Sequence, residues 1–335
     1  MKKYVITAGI DVSKSKLDVR LVSDPSLTNP PHFIVSNNEK GIKEMIRVLT
    51  KQKVAITDVL FCFENTGIYS MPLAIYFSKN SFDYWEIPAI EIKKSKGLVR
   101  GKSDKTDALD IAFYAITHLH KLKLCTIAED SIMKLQLFYS EREKLMKAIL
   151  ILQSSSEVTN FLPKEVSKEV MSINKKAIAN LKIAMKQVEK AIMFLVKTNE
   201  KINCCFNLAT SVPGVGTQSA VYLIIKTRCF TRFKSWRKLA CYAGIAPFEY
   251  SSGSSIKGRT KLSHMADKKM KSLLNMAALS AKKSDKEIGE YYDRKVKEGK
   301  NKMLVMNAVR CKILSRVFAV IERQTPFVNT QRFAA

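Results

Sequence analysis

Asp104, Asp107 and Asp110 stand three residues apart in the stretch Gly101-Lys-Ser-Asp-Lys-Thr-Asp-Ala-Leu-Asp-Ile-Ala112. On a helix this spacing sets three carboxylates along one face, each a turn from the next. Ala108, Leu109, Ile111, Ala112 and Ala115 give the same helix an apolar side. Stacked like charges cost a few tenths of a kcal/mol per pair, so they need a reason. One reason is local: acids suit the positive end of a helix, and Ser103 or Asp104 can serve as N-cap. The other is a divalent metal, since hard cations seek convergent carboxylate oxygens. Two further acids end apolar strand-like runs: Asp11 after Tyr4–Ile10, and Glu64 after Val59-Leu-Phe-Cys-Phe63. Singly, Asp11 reads as a turn residue and Glu64 as a surface cap. Gathered with Asp104 and Asp107, they form the set that two-metal phosphodiester chemistry uses.

A second candidate lies in Ala243–Ser263, a Ser/Gly-rich segment carrying Lys257, Arg259 and Lys261 and opening into a helix with Lys268, Lys269 and Lys271. It reads as a flexible phosphate-binding loop. A serine there suits a phosphate contact, a cap or a nucleophile. No Ser-His-Asp pattern ranks these roles, and His264 alone decides nothing. Upstream, Val212-Pro-Gly-Val-Gly216 resembles a helix-hairpin-helix turn, in which the backbone at Gly214 and Gly216 either holds a phosphate or makes a tight helix–helix turn. Tyr291, Tyr292, Arg294 and Gly299-Lys-Asn-Lys302, with Lys300 and Lys302, form a further basic turn.

The positioning elements follow from periodicity. Tyr4–Ile10 and the alternating Leu17–Val22 form a hairpin, His32–Val35 a third strand, Glu39–Lys51 a helix, Val59–Phe63 a buried strand, Tyr69–Lys79 a helix and Tyr84–Ile87 a fifth strand. The basic run Lys93, Lys94, Lys96, Arg100, Lys102, Lys105 leads into the acidic helix. The order β-β-β-α-β-α-β-α is that of a ribonuclease-H-like sheet, in which Asp11, Glu64 and the later helix meet at one edge. An actin-like ATPase would need glycine-rich phosphate loops, which Asp11-Val-Ser-Lys-Ser lacks. From Ile132 the step becomes 3 and 4, giving two long helices broken near Asn160–Pro163. Arg142 and Asn199 stand at seam positions of this coiled-coil stripe, which serves either an intramolecular hairpin or a dimerisation arm.

Charge points the same way. The 335 residues hold 57 Lys+Arg against 30 Asp+Glu, a net +27, and most of the excess falls after residue 205. Nucleic acid is the expected partner of so basic a chain. Seven cysteines without a CxxC pair fit reduced thiols in a cytoplasm rather than disulfides or zinc. No apolar run has membrane-spanning length, so no membrane is expected as a partner.

Gly9-Ile-Asp11-Val-Ser-Lys, Glu64-Asn-Thr-Gly67, Lys102-Ser-Asp104-Lys-Thr-Asp107-Ala, Val212-Pro-Gly-Val-Gly216, Gly244-Ile-Ala-Pro247, Ser252-Gly253 and Tyr291–Lys302 occur in this order. Together they resemble the DEDD transposases of insertion-sequence family 110, related to the pilin-gene invertases, over nearly the whole length. The resemblance implies three parts. Residues 1–125 form an α/β RuvC-like catalytic domain, 126–205 a coiled-coil dimerisation arm, and 206–335 a mostly α-helical transposase domain with the hairpin turn and serine loop. It also implies a site of Asp11, Glu64, Asp104 and Asp107 that binds Mg²⁺, with Mn²⁺ accepted by the same oxygen ligands. Ser252, identified by its register before Gly253, is the implied DNA nucleophile, forming a covalent phosphoserine link. Gly214, Gly216, Lys257, Arg259, Lys261, Lys268, Lys269, Arg294, Lys300 and Lys302 are the expected nucleic-acid contacts. Asp110 has a supporting or structural place. The implied partners are DNA at the element's ends and target, a structured guide RNA encoded by the element, and further copies of the chain as dimer or tetramer. The implied location is a bacterial or archaeal cytoplasm, at the nucleoid. A metal-dependent junction resolvase that uses water is the competing reading.

Overall fold

The computed structural model describes residues 2–329 apart from 25, 27–28, 53, 97–103, 160 and 253–255; at 104–105, 155–159, 164, 249–252 and 256–261 the backbone alone is described. The chain divides into two compact units, Met1–Ile127 and Ala128–Ala335.

The first unit is built on five strands: β1 (Ile6–Val12), β2 (Lys16–Val22), β3 (His32–Ser36), β4 (Val59–Glu64) and β5 (Tyr84–Ile87). Their order across the sheet is β3-β2-β1-β4-β5. The first three pair antiparallel, whereas β1–β4 and β4–β5 are parallel. Parallel strands are covered on both faces, which is why β4 reads as an unbroken apolar run. One face packs under α1 (Glu39–Lys51) and α2 (Met71–Lys79). Leu17, Val19, Phe61 and Phe63 there meet Ile42, Met45, Leu49, Leu73 and Phe77. Phe61 stacks on Phe77 at a ring separation of 4.3 Å. Burying each such side chain stabilises the fold by about 1.5–3 kcal/mol. Asn38 starts α1 by accepting a hydrogen bond from the Gly41 N–H.

The opposite face carries α3 (Ala89–Ser95) and α4 (Asp104–Thr117). Ile92, Ile111, Tyr114 and Ala115 pack there on Leu60, Cys62, Trp85 and Ile87. Two elements differ from the sequence expectation. The basic run contains α3, a short helix started at Pro88 and seated by Ile92. The helix expected from Tyr69 is a 3-10 turn over Gly67–Ser70 followed by α2, whose Pro72 sits in its first turn.

The second unit is mostly helical: α5 (Asp130–Thr159), α6 (Lys164–Thr198), α7 (Glu200–Ser211), α8 (Thr217–Thr227), α9 (Trp236–Tyr242), α10 (Lys268–Ser284), α11 (Lys286–Lys297) and α12 (Lys302–Arg323). A two-stranded hairpin, β6 (Pro247–Ser252) and β7 (Ile256–Leu262), interrupts them. Helices α5 and α6 pack on each other within the chain. Arg142 on α5 bridges Glu189 near the far end of α6 at 2.7 Å, so the pair is antiparallel. Asn199 is not a seam residue: it ends α6 and caps α7, accepting from the Ile202 N–H. The periodicity runs on through this break because α7 resumes the same apolar step, with Ile202, Cys205 and Leu208 buried. Their neighbours in the core come from α8, α10 and α12, among them Val221, Ile224, Leu274, Ala278, Val309, Ile313 and Val317. Among the described residues no helix is long and apolar enough to cross a membrane.

Candidate active site

The carboxyl ends of β1 and β4 lie side by side, and α4 packs against β1 beside them. Ile10 lies opposite Phe63 on the parallel neighbour, so Asp11 and Glu64 are the next residues along, both half-buried. Strand alternation puts them on the face of Gly9 and Cys62, the face that α4 covers. Gly9 is what lets the helix sit there. A Cβ at this position would lie 2.2 Å from the Ala108 carbonyl oxygen and 2.7 Å from the Ala112 nitrogen. Tyr4, before β1, packs in the same cluster as Leu119 and Leu122, beyond the end of α4. The helix therefore runs against β1, and its first residue, Asp104, comes one turn before Ala108 toward the Asp11 end. The Asp104 side chain lies outside the described atoms.

Asp107 is tied to a residue that the sequence presents only as part of a charge run. Lys96, just past α3, donates to Asp107 Oδ1 and approaches Asp110 Oδ2, each at 2.7 Å. Burial works against the Lys96 charge, but bonding to Asp107 and Asp110 outweighs it and holds the lysine above its usual pKa. Asp110 thus helps fasten α3 to α4. A further acid was not anticipated. Asp18 faces Asp11 directly across the β1–β2 pair and is 3% exposed. Lys16 Nζ stands 3.1 Å and His32 Nε2 3.2 Å from its two oxygens. The hairpin register contained this signal, because opposed residues share a face.

The loops at this edge are fastened to one another. The Asn37 amide donates to the Ser13 carbonyl at 2.8 Å and to the Tyr69 carbonyl at 2.9 Å. Asn65 accepts from the Gly67 N–H at 3.1 Å, and the Ser70 hydroxyl donates to the Gly67 carbonyl at 3.0 Å. Gly67 has φ +73°, a left-handed conformation that costs glycine little. Among the described residues no three acids already form a metal-holding group. The donor set is nonetheless all carboxylate oxygen, which suits a hard divalent cation.

In the second unit, Ser252 closes β6 and pairs with Ile256 across the hairpin. The segment expected as a loop is a β-hairpin whose strands include the backbone of Lys257, Arg259 and Lys261; Gly253 lies outside the described residues. Its base is closed tightly. The Asp267 N–H donates to the Tyr242 carbonyl at 2.9 Å. The Asp267 carboxylate caps α10 and accepts from Tyr222 at 2.9 Å and Tyr242 at 3.3 Å. Gly244, at φ +66°, would drive a Cβ to 2.3 Å from the Ala266 Cβ. Gly214 also serves close packing, since a Cβ there would meet the Ala277 carbonyl oxygen on α10 at 2.3 Å. Gly216 starts α8 with open space beside it. Lys268 is exposed at the start of α10, while Lys269 bridges Glu143 of α5 at 2.6 Å. Arg294 lies on α11, facing Tyr291 and Glu298, with Lys300 and Lys302 at the start of α12.

Comparison with known proteins covers both units. A family model described as "Transposase", for the DEDD type of the IS110 group, matches residues 8–159. A second, described as "Transposase IS116/IS110/IS902 family", matches residues 207–293. The chain is 24% identical to the pilin gene-inverting protein of Moraxella bovis over 335 residues, spanning 97% of this chain and 98% of that one. The same figures hold for the pilin gene-inverting protein of Moraxella lacunata. An IS110 insertion-element protein of 43.6 kDa from Streptomyces coelicolor is 31% identical over 116 residues, 35% of this chain and 28% of its own. The paired domain matches in their order, with full-length similarity to pilin gene-inverting proteins, establish that the chain belongs to the IS110 family of DEDD transposases, enzymes of DNA recombination.

Proposed function

We propose that this transposase cuts and rejoins the DNA of its element through Ser252, with Asp11, Glu64, Asp104 and Asp107 acting as one carboxylate site in a RuvC-like domain. The observation that supports this reading is that Asp11 and Glu64 follow paired residues of adjacent parallel strands in a β3-β2-β1-β4-β5 sheet, with α4 packed on β1 at Gly9. That strand order and pairing sense are those of a ribonuclease-H-like sheet. The four acids would hold Mg²⁺ or Mn²⁺, which when bound supplies positive charge to the phosphate oxygens. Asp107 takes part by exchanging its bond to Lys96. In the chemical step the Ser252 hydroxyl loses its proton and its Oγ bonds to phosphorus. The bond from phosphorus to the departing strand end breaks, and that end leaves as a hydroxyl after taking up a proton. The phosphoserine conserves the bond for rejoining.

The arm reading of α5–α6 draws support from its surface. Phe161 is 92% exposed at the turn, and Val166, Ile173 and Ile183 stand exposed along α6. Apolar surface of this kind calls for a partner, and a second copy of the same hairpin supplies one, making a homo-oligomer. The basic second unit, with Lys257, Arg259, Lys261, Lys268, Lys269, Arg294, Lys300 and Lys302 and the turn at Gly214 and Gly216, is the proposed nucleic-acid surface, for DNA and for a structured guide RNA. RNA recovered with the purified protein and sequenced tests the last point: reads from the element's own non-coding end are expected, and bulk cellular RNA refutes it.

A nicked suicide substrate tests the chemistry. Wild-type protein is expected to remain covalently attached to DNA through Ser252, and Ser252→Ala and Asp11→Asn each to abolish the adduct. Strand cleavage that persists in Ser252→Ala, with no adduct in the parent protein, points instead to a resolvase that uses water.

A further inference from the structure

The carboxylate edge of the first unit carries an apolar feature that neither the fold nor the proposed chemistry uses. Ile68 is 74% exposed and Tyr69 43% exposed, side by side on the Gly67–Ser70 turn. Isoleucine left in water gains nothing for the fold. The turn that presents it is nevertheless firmly built: Asn65 holds its start, Ser70 its end, and one Asn37 amide ties the Tyr69 carbonyl to that of Ser13. Ser13 is two residues past Asp11, and Gly67 is three past Glu64. The turn therefore lies at the same end of the sheet as the acids. Ile90, 42% exposed, and the exposed Lys93 and Lys94 follow β5 at that end.

We infer that Ile68 and Tyr69 form a wedge that stacks against a nucleobase beside the phosphodiester being cut, drawing it out of the duplex. This rests on the reading of the carboxylates as the cutting site. The exposed Lys93 and Lys94 suit a DNA backbone at this end of the sheet. An apolar pair beside them has nothing to offer a phosphate and meets the base next to it, once that base is displaced. A displaced base has lost its stacking partner, and an exposed aromatic ring with an aliphatic wedge replaces it without reading sequence. The occupant is thus a base of the substrate DNA. The clamp from Asn37 fixes the turn against the strand end, so wedge and acids keep one spacing.

The test uses full-length protein and DNA of the element's end with 2-aminopurine placed in turn at positions flanking the cleavage site. Binding by Asp11→Asn protein, which holds the substrate uncut, is expected to raise fluorescence several-fold at one position. In the Asp11→Asn background, Tyr69→Ala combined with Ile68→Ala should remove that rise. In wild-type background the pair should slow cleavage about tenfold, the scale of one lost base–aromatic stack. Overall DNA affinity, set by phosphate contacts, should change by less than about threefold. Tyr69→Phe should retain both signals. Both side chains are exposed, so the melting temperature should not move. An unchanged fluorescence rise in the double variant overturns the wedge. So does a change in oligomeric state with the rise intact, which makes the turn a subunit contact. The underlying site reading fails separately, by Asp11→Asn protein that still cleaves.

Discussion

Gly9→Ala is the sharpest test of how sheet and helix build the acid edge. The new methyl would sit 2.2 Å from the Ala108 carbonyl oxygen, 2.7 Å from the Ala112 nitrogen and 2.8 Å from its Cβ. Real Cβ contacts do not come so close, and two of these neighbours are helix backbone, which cannot rotate away. Relief requires α4 to lift from β1 by roughly an ångström, the gap between these distances and ordinary contact. Overpacking of this kind costs about 1–3 kcal/mol, and backbone neighbours place it near the upper end. For a unit of this size that lowers Tm by roughly 10 °C. The displacement also moves the start of α4 relative to Asp11, and an ångström of misplacement costs about a hundredfold in rate. The expected result is a folded protein with a lower melting temperature by circular dichroism and adduct formation reduced further than stability alone explains. Wild-type stability with wild-type adduct yield would show that α4 does not rest on Gly9 and would sink the derived placement of Asp104.

Gly214→Ala, at φ +88° and 2.3 Å from the Ala277 carbonyl, should cost about 2–3 kcal/mol in urea unfolding, whereas Gly216→Ala, with open space, should cost less than about 0.5 kcal/mol. Equal effects would refute the packing role given to Gly214. Asn38→Ala removes the α1 cap and should destabilise the first unit by about 1 kcal/mol; no change in the denaturation midpoint contradicts it. Burial first, then Asp83, pushes the Tyr4 hydroxyl up to about 12, and burial with Glu91 does the same for Tyr114. Their contribution to stability is therefore complete below the ordinary tyrosine value near 10 and falls as pH rises toward 12. Absorbance at 295 nm should show both ionising after the freely exposed tyrosines, and simultaneous ionisation would refute the burial argument.

How much of this was legible in the sequence depended on whether a signal was local. Asp11 and Glu64 each end an apolar strand abruptly, so they stand out, and the pairing order places them together. Asp18 was legible in principle from the hairpin register, but its partners Lys16 and His32 become visible only when β2 is laid between its neighbours. Lys96 gave no signal, because α3 has seven residues, begins at a proline and is rich in lysine. The run Ser251–Ser255 has turn composition, so β6 and β7 were read as loop; their pairing depends on each other across the hairpin. For α5 and α6 the apolar step is the same whether the partner is the chain itself or another copy. The structure shows the intrachain contact and leaves Phe161 and Ile173 outside it.

The two proposed halves of the chemistry are held in different ways. The strand ends that carry Asp11 and Glu64 are backed by helices on both faces, so their backbone is set before substrate arrives, whereas Asp107 has first to exchange its bond to Lys96. Ser252 ends one strand of a two-stranded hairpin, a structure that is marginal by itself in water. Its base is secured by Asp267 with Tyr222 and Tyr242 and by the approach of Gly244 to Ala266. Among the described residues, β6–β7 pairing holds the strand end that carries the serine. In the proposed chemistry, a locked base beneath a marginal hairpin lets Ser252 take its final position from the phosphate backbone proposed to meet β7. Loosening the base with Tyr222→Phe should therefore lower adduct yield more than it lowers DNA affinity, and a purely proportional loss of both would show that the clamp serves folding alone.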